Sequence, residues 1–164
     1  MYRKILVTTD LSALGNSAIP HAYSVLGRGK GTVVLCHVVE RPPLPNPMYP
    51  HYSLEARLSP TVRAALKRRV SDRLESLVPR EFRRHDRVAT RIRVVEAARP
   101  VHEIICQEAT RLGVDLIVMA SHGHSGLTRL FLGSVAERVL RSVDRPILIV
   151  RGGETRAGGS SAPR

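Results

Sequence analysis

The sequence predicts a doubly wound α/β domain, a five-stranded parallel sheet in the order 3-2-1-4-5 with helices on both faces. Three observations carry that expectation. Short apolar runs alternate along the chain with segments of helical periodicity. The best run, Thr32-Val-Val-Leu-Cys-His-Val-Val39, is apolar on both faces, as a central parallel strand covered on each side is. The resulting β-α-β-α-β-α-β-α-β order, with right-handed crossovers, builds a parallel sheet. At 164 residues and 43% hydrophobic content, one domain with a core is expected over residues 1–151, followed by a disordered basic tail over 152–164.

In order, Arg3 to Thr9 reads as the first strand. Asp10 or Ser12 then caps a helix whose apolar positions are Leu14, Ala18, Ala22 and Val25, with Pro20 expected to kink or delay it. Gly27 to Gly31 ends that helix, and Thr32 to Val39 follows as the second strand. Glu40 to Pro60 carries six prolines and reads as a long loop. Thr61 to Val78 is expected as an amphipathic helix, burying Val62, Leu66, Val70, Leu74 and Leu77 and turning Arg63, Lys67, Arg68, Arg69 and Arg73 to solvent.

Thr90-Arg-Ile-Arg-Val-Val95 alternates, Arg91 and Arg93 against Ile92 and Val94, which suits an edge strand. Pro100 starts a helix with Val101, Ile104, Ile105, Ala109 and Leu112 inward, and Gly113 closes it. Asp115 to Ala120 is the fourth strand, Gly133 to Ser142 a helix, and Pro146 to Val150 a last short strand. In such sheets ligands sit beyond the carboxyl ends of the strands, where the winding reverses. If the order is 3-2-1-4-5, strands one and four are neighbours, and Asp10 and the glycine-rich stretch after Ala120 meet at one crevice. A helix start there, at Gly133-Ser134, offers unpaired N–H groups and the positive end of a dipole, a natural seat for an anion.

Several functional classes drop out. GxxxxGK[ST] is absent, and no GxGxxG follows a first strand, so neither a P-loop NTPase nor a Rossmann dehydrogenase fits. A phosphorylatable receiver domain needs an acidic cluster where this chain has Asp10 alone. Cys36 and Cys106 form no metal-ligand or disulfide spacing and read as free thiols. No apolar run approaches the roughly 20 residues of a membrane span and no signal segment is evident, so a cytoplasmic protein is expected. Net charge is +12, yet aromatic residues are 4%, too few for base-stacking platforms, which disfavours nucleic acid. His122 and His124 lack a third ligand and read as solvent-facing or phosphate-neighbouring, and Arg129 reaches either a phosphate or the surface.

Ile5-Leu-Val-Thr-Thr-Asp-Leu-Ser12, His37-Val-Val, Asp115-Leu-Ile-Val-Met-Ala-Ser-His-Gly, Leu132-Gly-Ser-Val-Ala-Glu and Arg145-Pro-Ile-Leu-Ile-Val together resemble the universal stress protein (UspA-like) family, over Met1 to about Arg151. The resemblance implies a Rossmann-like, adenine nucleotide alpha hydrolase-like fold. It also implies ATP binding, because that branch of the family reads G-x2-G-x9-G-[S/T] and this chain has Gly123, nine residues, then Gly133-Ser134. Ala120 occupies the first glycine position, and alanine does not adopt the positive φ open to glycine. Thr8 stands where the pattern often has proline.

By the same resemblance Asp10 and Val38 lie at adenine and ribose, with Thr8, Met119 and Ala120 nearby, and Gly123, Gly133, Ser134 and Val135 at the phosphates, with Mg²⁺ accompanying the nucleotide. It further implies a homodimer through Ile147–Val150 and a regulatory protein partner. Two other readings stay open: slow ATP hydrolysis or autophosphorylation with Ser134 as acceptor, and an adaptor that binds an anionic partner through the Arg63 to Arg93 face. Asp10 and Ser134 are also good helix caps whatever binds.

Overall fold

The computed structural model describes residues 2–27, 29–40, 59–121 and 132–151. Its elements are β1 (Lys4–Thr8), α1 (Ala13–Asn16), α2 (Ala18–Leu26), β2 (Gly31–Val39), α3 (Pro60–Ser76), β3 (Val88–Glu96), α4 (Val101–Leu112), β4 (Leu116–Ser121), α5 (Ser134–Ser142) and β5 (Ile147–Arg151). All five strands are parallel, as the alternation of elements predicts, and they lie in the expected order β3-β2-β1-β4-β5.

The strands that read as apolar on both faces are the central ones. Ile5, Leu6 and Val7 of β1, Val33 and Leu35 of β2, and Ile117 and Val118 of β4 are fully buried. Alternate residues feed two cores. Ile5, Val7, Val33, Leu35, Leu116 and Val118 pack with α2 and α3, whereas Leu6, Val34, Cys36, Ile117 and Met119 pack with α4 and α5. Each fully buried side chain of this size contributes about 1.5–3 kcal/mol, so the two-sided strands anchor the sheet. At its base, Asp115 accepts the backbone N–H groups of Arg3 (2.7 Å) and Lys4 (2.8 Å), which tie β1 to β4 and hold the Asp115 carboxyl below the usual carboxylate range.

The helices differ in detail from their sequence pattern. Ser12, not Asp10, caps α1, its side chain accepting from the Gly15 N–H. The pattern after β1 breaks at Ser17, so Pro20 falls in the first turn of α2, where a missing N–H costs little. The buried stripe of α2 is Ala18, Ile19, Ala22, Tyr23 and Leu26; Leu14 and Val25 are only half-buried.

The expected stripe of α3 is buried only at its C-terminal end. Leu74 is fully buried and Val70 and Leu77 pack on the core, but Val62 is 48% and Leu66 39% exposed, and every residue from Pro60 to Arg69 is exposed. Ser59 caps this helix by accepting from the Val62 N–H (3.3 Å).

On edge strand β3, Arg93 is not simply solvated. Its guanidinium donates to both oxygens of Glu108 on α4 (2.9 and 3.1 Å), and Arg111 grips the same carboxylate (2.7 and 3.2 Å). No helix among the described residues is long and apolar enough to cross a membrane. Most of the proline-rich stretch, residues 41–58, and the tail, residues 152–164, lie outside the described residues.

Candidate functional site

A cleft of about 380 Å³ opens at the carboxyl ends of β1, β2 and β4, at the switch point between β1 and β4, and its size falls within the range of small-molecule sites. Thr8, Asp10, Val38, Met119, Ala120 and Val135, six of the residues singled out from the sequence, line it together. Its lining is mainly apolar: Val101 and Ile105 of α4, Val135 and Ala136 of α5, and Val38 and Met119 from the same face of the sheet, with Val39 and Ala120 at the strand ends. Polar groups gather on the β1 side, where Thr9, Asp10 and His37 stand.

The Asp10 carboxylate is built into a turn. Its Oδ1 accepts from the Ser12 backbone N–H (3.0 Å) and the Ser12 hydroxyl (2.6 Å), and Ser12 Oγ in turn accepts from the Gly15 N–H (2.9 Å). Leu11, the next residue, has φ +67, the one non-glycine residue with positive φ among those described. A branched aliphatic side chain in that region stores on the order of 1–3 kcal/mol, and such strain persists only where surrounding contacts over-determine it.

Thr9 supplies those contacts. Its N–H donates to the Cys36 carbonyl (3.0 Å), its carbonyl meets His37 Nδ1 (2.8 Å), and its hydroxyl donates to Asn16 Oδ1 (2.7 Å) while accepting from the Leu11 N–H (2.9 Å). Gly15 completes the seat, since a Cβ there would overlap Asp10 Oδ1 and lie 3.1 Å from both Asp10 Cγ and its backbone N. The Cys36 thiol at the cleft floor is pushed up to about 12 by burial, with the Glu108 charge adding to the effect, so it stands there as a small apolar group rather than a nucleophile.

Ala120 lies within β4, paired with Val150, and positive φ is not demanded of it. Gly133 is the N-cap of α5 with no side-chain cap bond, and Ser134 is exposed at the first helical position; neither lines the described cleft. Gly123, His122, His124 and Arg129 lie outside the described residues. Sequence reasoning missed His37, Gly15 and the α4 wall as parts of this cleft. Gly15 carried a signal, because glycine inside a helix costs about 1 kcal/mol against alanine and so marks a close approach. Among the described residues no group of three or more His, Cys, Asp or Glu forms a metal cluster.

Fold and cleft define a doubly wound α/β domain with a crevice at its switch point. The model of the universal stress protein family matches residues 1–151, and the chain belongs to that family. It is 28% identical over 155 residues to universal stress protein MJ0577 of Methanocaldococcus jannaschii, covering 92% of this chain and 96% of that one. The solved structure of MJ0577 superposes with a TM-score of 0.68 over 94% of this chain and 99% of that one, at 26% identity. Universal stress protein MJ0531 of the same organism is 30% identical over 152 residues, covering 92% of this chain and 83% of that one. A universal stress protein solved in complex with cAMP shares the fold, with a TM-score of 0.56 over 92% of this chain and 97% of that one, at 21% identity.

Proposed function

We propose that this chain is an adenine-nucleotide-binding regulatory module that holds ATP in the cleft between β1 and β4. The observation that carries the reading is one arrangement: an apolar slot walled by α4 and α5, with the Asp10 carboxylate on its β1 side and Val135 of α5 on the other. A flat base fits between Val38, Ile105 and Met119, and Asp10 is placed to accept from sugar hydroxyls. In this reading the phosphates lie toward the start of α5 at Gly133-Ser134, where a helix N-terminus favours an anion. The relative solved with cAMP supports the ligand class. Mg²⁺ accompanying the nucleotide would neutralise phosphate charge and would be held by the phosphates rather than by a protein cluster, since none of three or more His, Cys, Asp or Glu stands among the described residues.

Titration calorimetry with MgATP tests this. Wild-type protein binds and Gly133→Val weakens binding at least about tenfold; a wild type that takes up no adenine nucleotide at physiological Mg²⁺ overturns the reading.

The same proposal includes a homodimer through β5. That strand pairs with β4 on one side, and Ile147, Leu148 and Ile149 are only half-buried at the sheet edge, an apolar edge that a second copy covers. Light scattering is expected to give twice the 18.1 kDa chain mass at micromolar concentration; a monodisperse monomer removes this part.

A further inference from the structure

His37 sits one strand away from Asp10 and touches the backbone next to it. Its Nδ1 lies 2.8 Å from the Thr9 carbonyl oxygen, and a carbonyl only accepts, so the ring carries a proton on Nδ1. The bond spans β2 to the residue just beyond β1, and it falls on the peptide that enters the strained Leu11 turn. Asn16 grips the same turn from α1, accepting from the Thr9 hydroxyl and donating Nδ2–H to the Leu11 carbonyl (3.3 Å). Every polar group of Thr9 is thereby held. Thr9 is 7% exposed, so these bonds compete little with water.

We propose that His37 is a positioning residue for the cleft: its Nδ1–H, donated to the Thr9 carbonyl, holds the Thr9–Leu11 turn in the strained form that presents the Asp10 carboxylate. Capping explains Ser12 but not this bond, because α1 is already capped without it. Packing alone explains it no better, since an aliphatic side chain fills a half-buried strand position without donating a proton. The consequence for ligand binding rests on the nucleotide reading above, whereas the clamp itself does not.

Two variants separate the roles. His37→Asn places an amide N–H close to where Nδ1–H stands, and His37→Leu keeps bulk without a donor. Imidazole ¹⁵N shifts of the wild type are expected to show a protonated Nδ1, and the Leu11 one-bond Cα–Hα coupling to report positive φ in wild type and His37→Asn but an averaged backbone in His37→Leu. MgATP affinity is expected to fall about tenfold in His37→Leu and to recover to within about threefold in His37→Asn. An Nε2–H tautomer, an unchanged Leu11 coupling in His37→Leu, or His37→Asn as impaired as His37→Leu overturns the proposal. Should wild type bind no nucleotide, the nucleotide reading fails by itself and the tautomer and coupling decide the clamp.

Discussion

Gly15 and Asp10 touch so closely that a single methyl group at residue 15 would displace the carboxylate: an added Cβ overlaps Oδ1 and approaches Cγ to 3.1 Å. The contact explains why a glycine sits inside α1 despite its helix penalty. Gly15→Ala gains helix propensity of about 1 kcal/mol but forces Asp10 out of its seat. Stability is therefore expected to change by less than about 2 kcal/mol while MgATP affinity falls at least about tenfold. Urea unfolding and calorimetry on the same sample separate the two effects. A Gly15→Ala variant that binds as the wild type does would show that Asp10 has no part in the site.

Glu108 links acid stability to the α4 face. It is 6% exposed, and burial alone would raise its pKa, yet the hydrogen bonds and charges of Arg111 and Arg93 outweigh burial and hold it at about 2. A carboxyl whose folded value lies below its unfolded one stabilises the fold above the unfolded value and loses that contribution as pH falls through the folded one. On the order of 3 kcal/mol is thus present at neutral pH and lost between about pH 5 and pH 2. Glu108→Gln should flatten this part of the stability profile measured by urea unfolding; an unchanged profile would place the acid sensitivity elsewhere.

The two thiols are expected to differ in reactivity. Cys36 is buried with its pKa pushed to about 12, whereas Cys106 is only half-buried, its thiol also raised by burial. With iodoacetamide at about pH 8, near the ordinary thiol range, mass spectrometry of the native protein should find Cys106 modified first, and Cys36 only once unfolding exposes it. Rapid native labelling of Cys36 would contradict its packing against α4.

One stripe on α3 spans two environments. Leu74→Ala, at a fully buried position, is expected to cost about 2–5 kcal/mol. Val62→Ser and Leu66→Ser, at exposed positions, should stay within about 0.5 kcal/mol of wild type. Thermal unfolding checks all three, and a large loss from either serine variant would mean that something covers the start of α3.

Part of the lining of the candidate cleft was legible in the sequence because strand ends are. The apolar run before Asp10 and the run ending at Ala120 mark where β1 and β4 stop, and the strand order brings those ends together. Asp10 and Ser12 were interchangeable as caps at that level, since both are short acceptors at the same helix start. The turn geometry divides the work between them: Ser12 holds the helix and Asp10 holds Ser12. His37 gave no local sign at all, being one polar residue in an apolar strand whose partner lies 28 residues away.

The parallel sheet and the two-sided burial of its central strands followed from the amino-acid sequence. Hydrophobic period is a local property and survives any detail of packing. Which polar groups meet, and where an apolar stripe is covered, were settled only by the folded chain. Those depend on strand register and on how much of a helix is covered, so Thr9 finds His37, Arg93 finds Glu108, and Val62 stands in solvent while Leu74, on the same helix, is fully buried.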